Sequence, residues 1–144
     1  MSSDNLRLLY LKTVVSIEED GILRPAGDSR SVAQGVVHVI TAWNPGDERP
    51  SREENDVANE ELRTELLSRG LNPCRAVGAD PDSDHAEESW AVVGLSDDEA
   101  CALGAAFGQV AVFRLTSAGQ MVLACFENWV ASRPWWGAVT GRCF

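Results

Sequence analysis

Apolar residues in this chain gather into short β-branched runs, broken by two stretches whose apolar positions recur at helical spacing. The clearest run, VVHVITAW at 36–43, is almost continuously apolar, as a strand covered on both faces would be. Asn44-Pro45-Gly46 ends it, because proline lacks a donor and glycine admits a turn. Ser51 and Glu54 then have the spacing of a capping box, which predicts a helix from there to Arg69, stopped by Gly70. A short strand follows in PCRAVGA, then an acidic turn, then a second good strand in SWAVVGL at 89–95. Ser96 and Glu99 repeat the capping box and predict a helix over 97–107, closed by Gly108. VAVFRL and QMVLACF, separated by Ser117 to Gly119, predict a final hairpin.

The N-terminal part is harder to read. Residues 5–19, NLRLLYLKTVVSIEE, are too densely apolar for periodicity to separate helix from strand. The β-branched YLKTVVSI and the Asp20-Gly21 turn signal favour a strand, a turn and a second short strand. AGDSRSVAQG follows as a loop or a single helical turn. From residue 36 the order is strand, helix, strand, strand, helix, strand, strand. That α/β (α+β) order suits a ferredoxin-like βαββαβ antiparallel sheet with two helices on one face, plus extra strands. No linker divides the 144 residues, so a single domain over 1–144 is expected: N-terminal strands at 5–25, a core at 36–115 and an aromatic tail at 127–144.

Composition narrows the class. With 44% hydrophobic residues the chain can close a core, and no apolar run reaches the length of a membrane span. The N-terminus, with Asp4 and Arg7, lacks the basic start, apolar run and cleavage site of a signal peptide, so a cytoplasmic protein is expected. The four cysteines, at 74, 101, 125 and 143, form no CxxC pair and read as packed free thiols.

Charge is more informative. The net charge is −10, and between Arg75 and Arg114 there is no Lys or Arg among eight Asp and Glu. Such a surface repels phosphate, so neither direct nucleic-acid binding nor an acidic membrane surface is expected. It is either a solvated face or a face that meets a basic protein partner. Asp80, Asp82 and Asp84 imitate the start of a calcium loop, but His85 and Ala91 stand where that loop needs Gly and Glu. No metal and no cofactor is expected. The nucleophile-elbow, Walker and HExxH templates are all absent. His38 reads as a packed strand residue, and Trp129, Trp135 and Trp136 as cover for a sheet or as a binding surface.

The informative residues are polar ones in apolar places. Positions 55, 59, 62 and 66 lie along one helical face, and Leu62 and Leu66 turn that face to the core. Asn55 and Asn59 should therefore point inward, where an amide without partners costs about 1–3 kcal/mol. Two readings are open. The asparagines either tie the turn at Asn44 to the helix, or line a pocket at the strand end and helix start that holds a small polar ligand or a protein partner. Gln109, just after Gly108, either satisfies the helix end or joins that pocket. Glu87 and Glu88 should face opposite sides of an extended strand, which leaves a single functional carboxylate, placed at Glu88. The candidate ligand-binding set is Asn44, Asn55, Asn59, Glu88 and Gln109. It suits a non-enzymatic binding or regulatory module. The alternatives are a small enzyme with Glu88 as acid or base, and an acidic protein that neutralises a basic partner.

ITAWNP, EENDVANEEL, RGLNPCRAVGADPDSDHAEESWAVVGLS and FGQVAVF, in this order and spacing, resemble an uncharacterised family of small bacterial proteins classed as a domain of unknown function. The resemblance covers about 36–115. Its recurring positions fall on Thr41, Asn44, Pro45, Asn55, Asn59, Leu62, Gly70, Glu88, Ser89, Phe107, Gly108 and Gln109. It implies no activity, but it implies that the polar misfits belong to the family pattern.

Overall fold

The computed structural model describes residues 3–45 and 48–135, with side chains from residue 8 onward. The chain starts with helix α1 (Ser3–Lys12), followed by strands β1 (Val14–Glu19) and β2 (Ile22–Pro25). A 3-10 turn (Ala26–Asp28) and the short helix α2 (Arg30–Gln34) lead into β3 (Val37–Ile40). Helix α3 (Arg52–Ser68), strands β4 (Cys74–Ala79) and β5 (Ala86–Val92), and helix α4 (Asp97–Ala106) come next. β6 (Ala111–Thr116), β7 (Gly119–Ala124) and β8 (Val130–Arg133) complete the described chain.

Local chemistry accounts for most of these boundaries. Both capping boxes form: the Ser51 and Ser96 hydroxyls accept the N–H of Glu54 and Glu99, whose carboxylates accept the serine N–H in return. Asp20 and Gly21 both have positive φ, 55° and 79°, which suits the two-residue hairpin turn joining β1 to β2. The strand, turn and second short strand read there are present, but residues 3–12 before them are a helix. Tertiary capping explains what periodicity could not. The C-terminal carbonyls of α1 are taken by side chains from distant strands: Gln120 Nε2 donates to Tyr10 O at 3.3 Å and Thr13 O at 3.0 Å, and Arg133 donates to Leu11 O and Thr13 O. In the tail, Val130–Arg133 forms an edge strand, while Trp136 and Cys143 lie outside the described residues.

All eight strands join one antiparallel sheet in the order β2-β1-β4-β5-β3-β6-β7-β8, curled into a half-barrel. This corrects the ferredoxin-like arrangement with two helices on one face. The sheet runs two strands beyond β4 on one side and two beyond β6 on the other, and helices cover both faces. Ile40, Val92, Val112 and Leu123 face α3 and α4, packing with Leu62, Leu66, Ala100 and Leu103. Val15, Ile17, Val37, Val39, Ala76 and Ala91 face the other way, onto Ala26, Val32, Phe113 and Trp135. Tyr10 and Leu11 of α1 pack beside Val122 and Trp129. The physical reason lies in β3, whose four residues are all buried. A strand apolar on both faces needs cover on both, and the second layer comes from the N-terminal helices and Trp135. Among the described residues no helix is long and apolar enough to cross a membrane.

Candidate functional site

The turn after β3 is held from three directions. Asn44, at φ 47°, gives its N–H to Asn55 Oδ1 at 3.0 Å, and its own Oδ1 accepts from Asn55 Nδ2 at 3.0 Å. This reciprocal amide pair locks the left-handed residue of the turn to the first turn of α3. Thr41 Oγ1 accepts the Trp43 N–H at 3.0 Å and donates to Glu88 O at 2.8 Å. From the end of α4, Gln109 Nε2 donates to Trp43 O at 3.0 Å, and Gly108 receives Pro45 against its backbone. A Cβ on Gly108 would stand 2.6 Å from Pro45 Cβ, and its φ of 75° disfavours a side chain in any case. Asn44, Asn55 and Gln109 are thus brought together, and their amides are engaged with the chain itself.

Asn59 stands apart. Its side chain is only 6% exposed, and Oδ1 has no hydrogen-bond partner. Its backbone carbonyl accepts Trp90 Nε1 at 2.8 Å, which fixes α3 against β5. Trp43 Nε1 is likewise buried without a partner, beneath the Arg52 guanidinium, which lies 5.7 Å from the ring centroid. A buried acceptor on α3 and a buried donor in the turn thus have no partner.

Glu88 does not join the asparagines. Its carboxylate grips Arg75 in a fork, at 2.8 Å to Nε and 2.9 Å to Nη2. That bond outweighs desolvation and raises the Arg75 guanidinium further above its ordinary value. The carboxylate that does meet the asparagines is its neighbour. Glu87 Oε2 accepts from Asn44 Nδ2 at 3.0 Å and lies 2.9 Å from His85 Nε2. Asn55, Asn44, Glu87 and His85 form one continuous polar chain, from the start of α3 to the half-exposed His85 ring. On α1, the Tyr10 ring meets Phe113 edge-on at 6.0 Å. Burial, and next the Glu87 carboxylate, push the Tyr10 hydroxyl up to about 12, so it stays protonated.

A carboxylate held by an amide and a histidine can bind a hydrogen-bond donor or a cation, or steer the imidazole as a base. Of the two adjacent carboxylates, Glu87 and not Glu88 lies against Asn44. Alternation does not separate them, because β5 is buried on both faces: Glu87 shares its side with Ser89 and Ala91, and Glu88 shares its side with Trp90 and Val92. Tyr10 is equally illegible, since it belongs to α1 and enters only through tertiary packing.

The acidic run is largely engaged within the fold. Lys12 Nζ reaches Asp82 at 2.8 Å, Asp80 accepts from Asp82 N and Ser83 Oγ, and Asp97 holds buried His38 at 2.7 Å with Arg114 at 3.5 Å. No group of three or more His, Cys, Asp or Glu among the described residues could hold a metal ion.

No curated protein and no solved structure matches the chain. One family model does, over residues 40–112, about half of the chain, from the last residue of β3 into β6. The turn, both asparagines, Glu87 and Gln109 all lie inside that span, whereas Tyr10 lies outside it. The chain belongs to the family described as protein of unknown function (DUF3293).

Proposed function

We propose that this chain is a single-domain, non-enzymatic binding or regulatory module of the cytoplasm, which takes a small polar ligand where the end of β3 meets the start of α3. The observation that carries this reading is Asn59 Oδ1, an acceptor inside the family span, buried on the core stripe of α3 and left without a partner. A purely structural helix would gain by placing leucine there, because a desolvated, unpaired amide oxygen costs about 1–3 kcal/mol. Asn55, one turn earlier, has both its amide groups paired. The ligand therefore brings a donor to Asn59.

Native mass spectrometry of the protein drawn gently from its own host tests this. A small adduct is expected on the wild type and lost in Asn59→Leu. No adduct, together with a more stable Asn59→Leu, would make Asn59 an uncompensated element of the fold and end the ligand reading.

A second reading, an enzyme acting on a polar small molecule, is favoured by one observation: the Glu87–His85 pair oriented by Asn44. It moves the acid–base role from Glu88, which is committed to Arg75, to Glu87. The acidic-inhibitor reading is weakened, because Asp80, Asp82, Glu87, Glu88, Asp97 and Glu99 are bonded within the chain.

A further inference from the structure

Two of the cysteines meet behind α4, away from the polar junction. Cys101 lies on α4 and Cys125 directly follows β7, and both flank the apolar cluster beneath that helix. Gly104 follows Cys101 by three residues and so shares its side of the helix. A Cβ there would stand 2.9 Å from Cys125 Sγ and 2.6 Å from Val112 Cγ1. The glycine thus lets the Cys125 sulfur rest against the helix backbone, one turn from Cys101. The Cys125 N–H, bonded to Val110 O at 2.8 Å, fixes the residue in this place. Cys101 and Cys125 are both free thiols.

We propose that Cys101 and Cys125 form a reversible disulfide that staples α4 to β7, with a hydroperoxide as the oxidant. The Cys101 thiolate attacks one peroxide oxygen, the O–O bond breaks, hydroxide leaves, and Cys101 becomes a sulfenic acid. The Cys125 sulfur then attacks the Cys101 sulfur, the S–O bond breaks, and water leaves with the Cys125 proton. In sum, two thiols and one hydrogen peroxide give one disulfide and two waters. The sulfurs lose two electrons and the peroxide gains them.

The order of events follows from the surroundings. Burial, then the neighbouring Cys101, push the Cys125 thiol up to about 12, so Cys125 resolves rather than initiates. Burial, then Asp97 and Asp98, raise Cys101 as well, and Cys125 acts in the opposite sense. Cys74 is exposed on β4, with its sulfur 4.0 Å from Asn72 O, and serves as an internal control.

Full-length reduced protein, freed of reductant and treated with hydrogen peroxide, is the material for the test. Peptide mapping should find the loss of two hydrogens in a single Cys101–Cys125 cross-link, reversed by dithiothreitol and absent in Cys101→Ser. The cross-linked form should also melt at a higher temperature than the reduced form. Cys125→Ala, which keeps the apolar contact, should stop Cys101 at its sulfenic or sulfinic acid and serves if the serine variant fails to fold. Oxidation of Cys101 in the wild type without a cross-link, or pairing of Cys125 with Cys74 or Cys143, would overturn the proposal.

Discussion

The two faces of the sheet are covered in different ways. α3 and α4 lie on one face and are defined by their own residues: a capping box at each start, a positive-φ glycine just past each end, and leucines on the buried stripe. α1 and α2 lie on the other face and depend on side chains sent from strands. The Glu19 carboxylate, on β1, accepts from Ser29 Oγ, Arg30 N, Ser31 N and Ser31 Oγ at the start of α2. Gln120 on β7 and Arg133 on β8 hold the end of α1, and Lys12 pins it to Asp82. The first face lies mostly within the family span and would keep its helices with local information alone. The second is assembled by long-range polar ties, so it should loosen before the first.

The comparison can be broken most forcefully at Leu66, which is fully buried between α3 and the sheet. Leu66→Ala should cost about 2–5 kcal/mol in denaturant unfolding, because a buried leucine leaves both lost transfer energy and a cavity. The loss should be global, since the core beneath α3 is shared with α4. Gln120→Ala comes next. It removes two donors from the end of α1 at a fully buried position, at about 1–3 kcal/mol. Hydrogen exchange should then rise in residues 8–13 well before it rises in α3. Equal acceleration in both helices would show the two faces to be one cooperative unit.

Asn55→Ala sharpens the contrast between the paired and unpaired asparagines. It strands the Asn44 amide and N–H in the turn, and about 1–3 kcal/mol of stability should go with them. Asn59→Leu should instead be neutral or stabilising in the absence of ligand. If both variants lose stability alike, Asn59 has a partner in solution even without a ligand.

The smallest effect is that of acid on α2. Burial works to raise the Glu19 carboxyl, but the N–H and hydroxyl donors of α2 outweigh it and hold the group below its ordinary 4.5. A carboxyl lowered in the folded state stabilises the fold above its unfolded value, and that contribution is lost as pH falls through the folded value. Wild type should thus lose stability below about 4.5, and Glu19→Gln should flatten part of that acid limb. Stability measured against pH for both proteins checks it.

Legibility in the sequence followed the distance over which each feature acts. Ser51–Glu54 and Ser96–Glu99 were readable because a capping box is complete within four residues. The Asp20-Gly21 hairpin was readable for the same reason. Asn55 reaching back to the turn at Asn44 spans eleven residues, and helical spacing was enough to suggest it. Sequence does not separate Glu87 from Glu88, because their partners lie elsewhere: Arg75 claims one carboxylate, and Asn44, 43 residues away, claims the other. The helix at 3–12 is hidden in a dense apolar run, and its C-terminal end is capped from residues 120 and 133.

Sequence alone gives the strands and helices between residues 36 and 126, the two helix starts and stops, the inward aim of Asn55 and Asn59, and the family; β8 in the tail is not legible there. These rest on turn chemistry, alternation and capping, which act between near neighbours. Tertiary contacts alone make the strands one eight-stranded half-barrel covered on both faces, bring Glu87 rather than Glu88 to Asn44, and leave Asn59 Oδ1 unpaired. Each depends on which distant residues come into contact, and a local pattern carries no information about that.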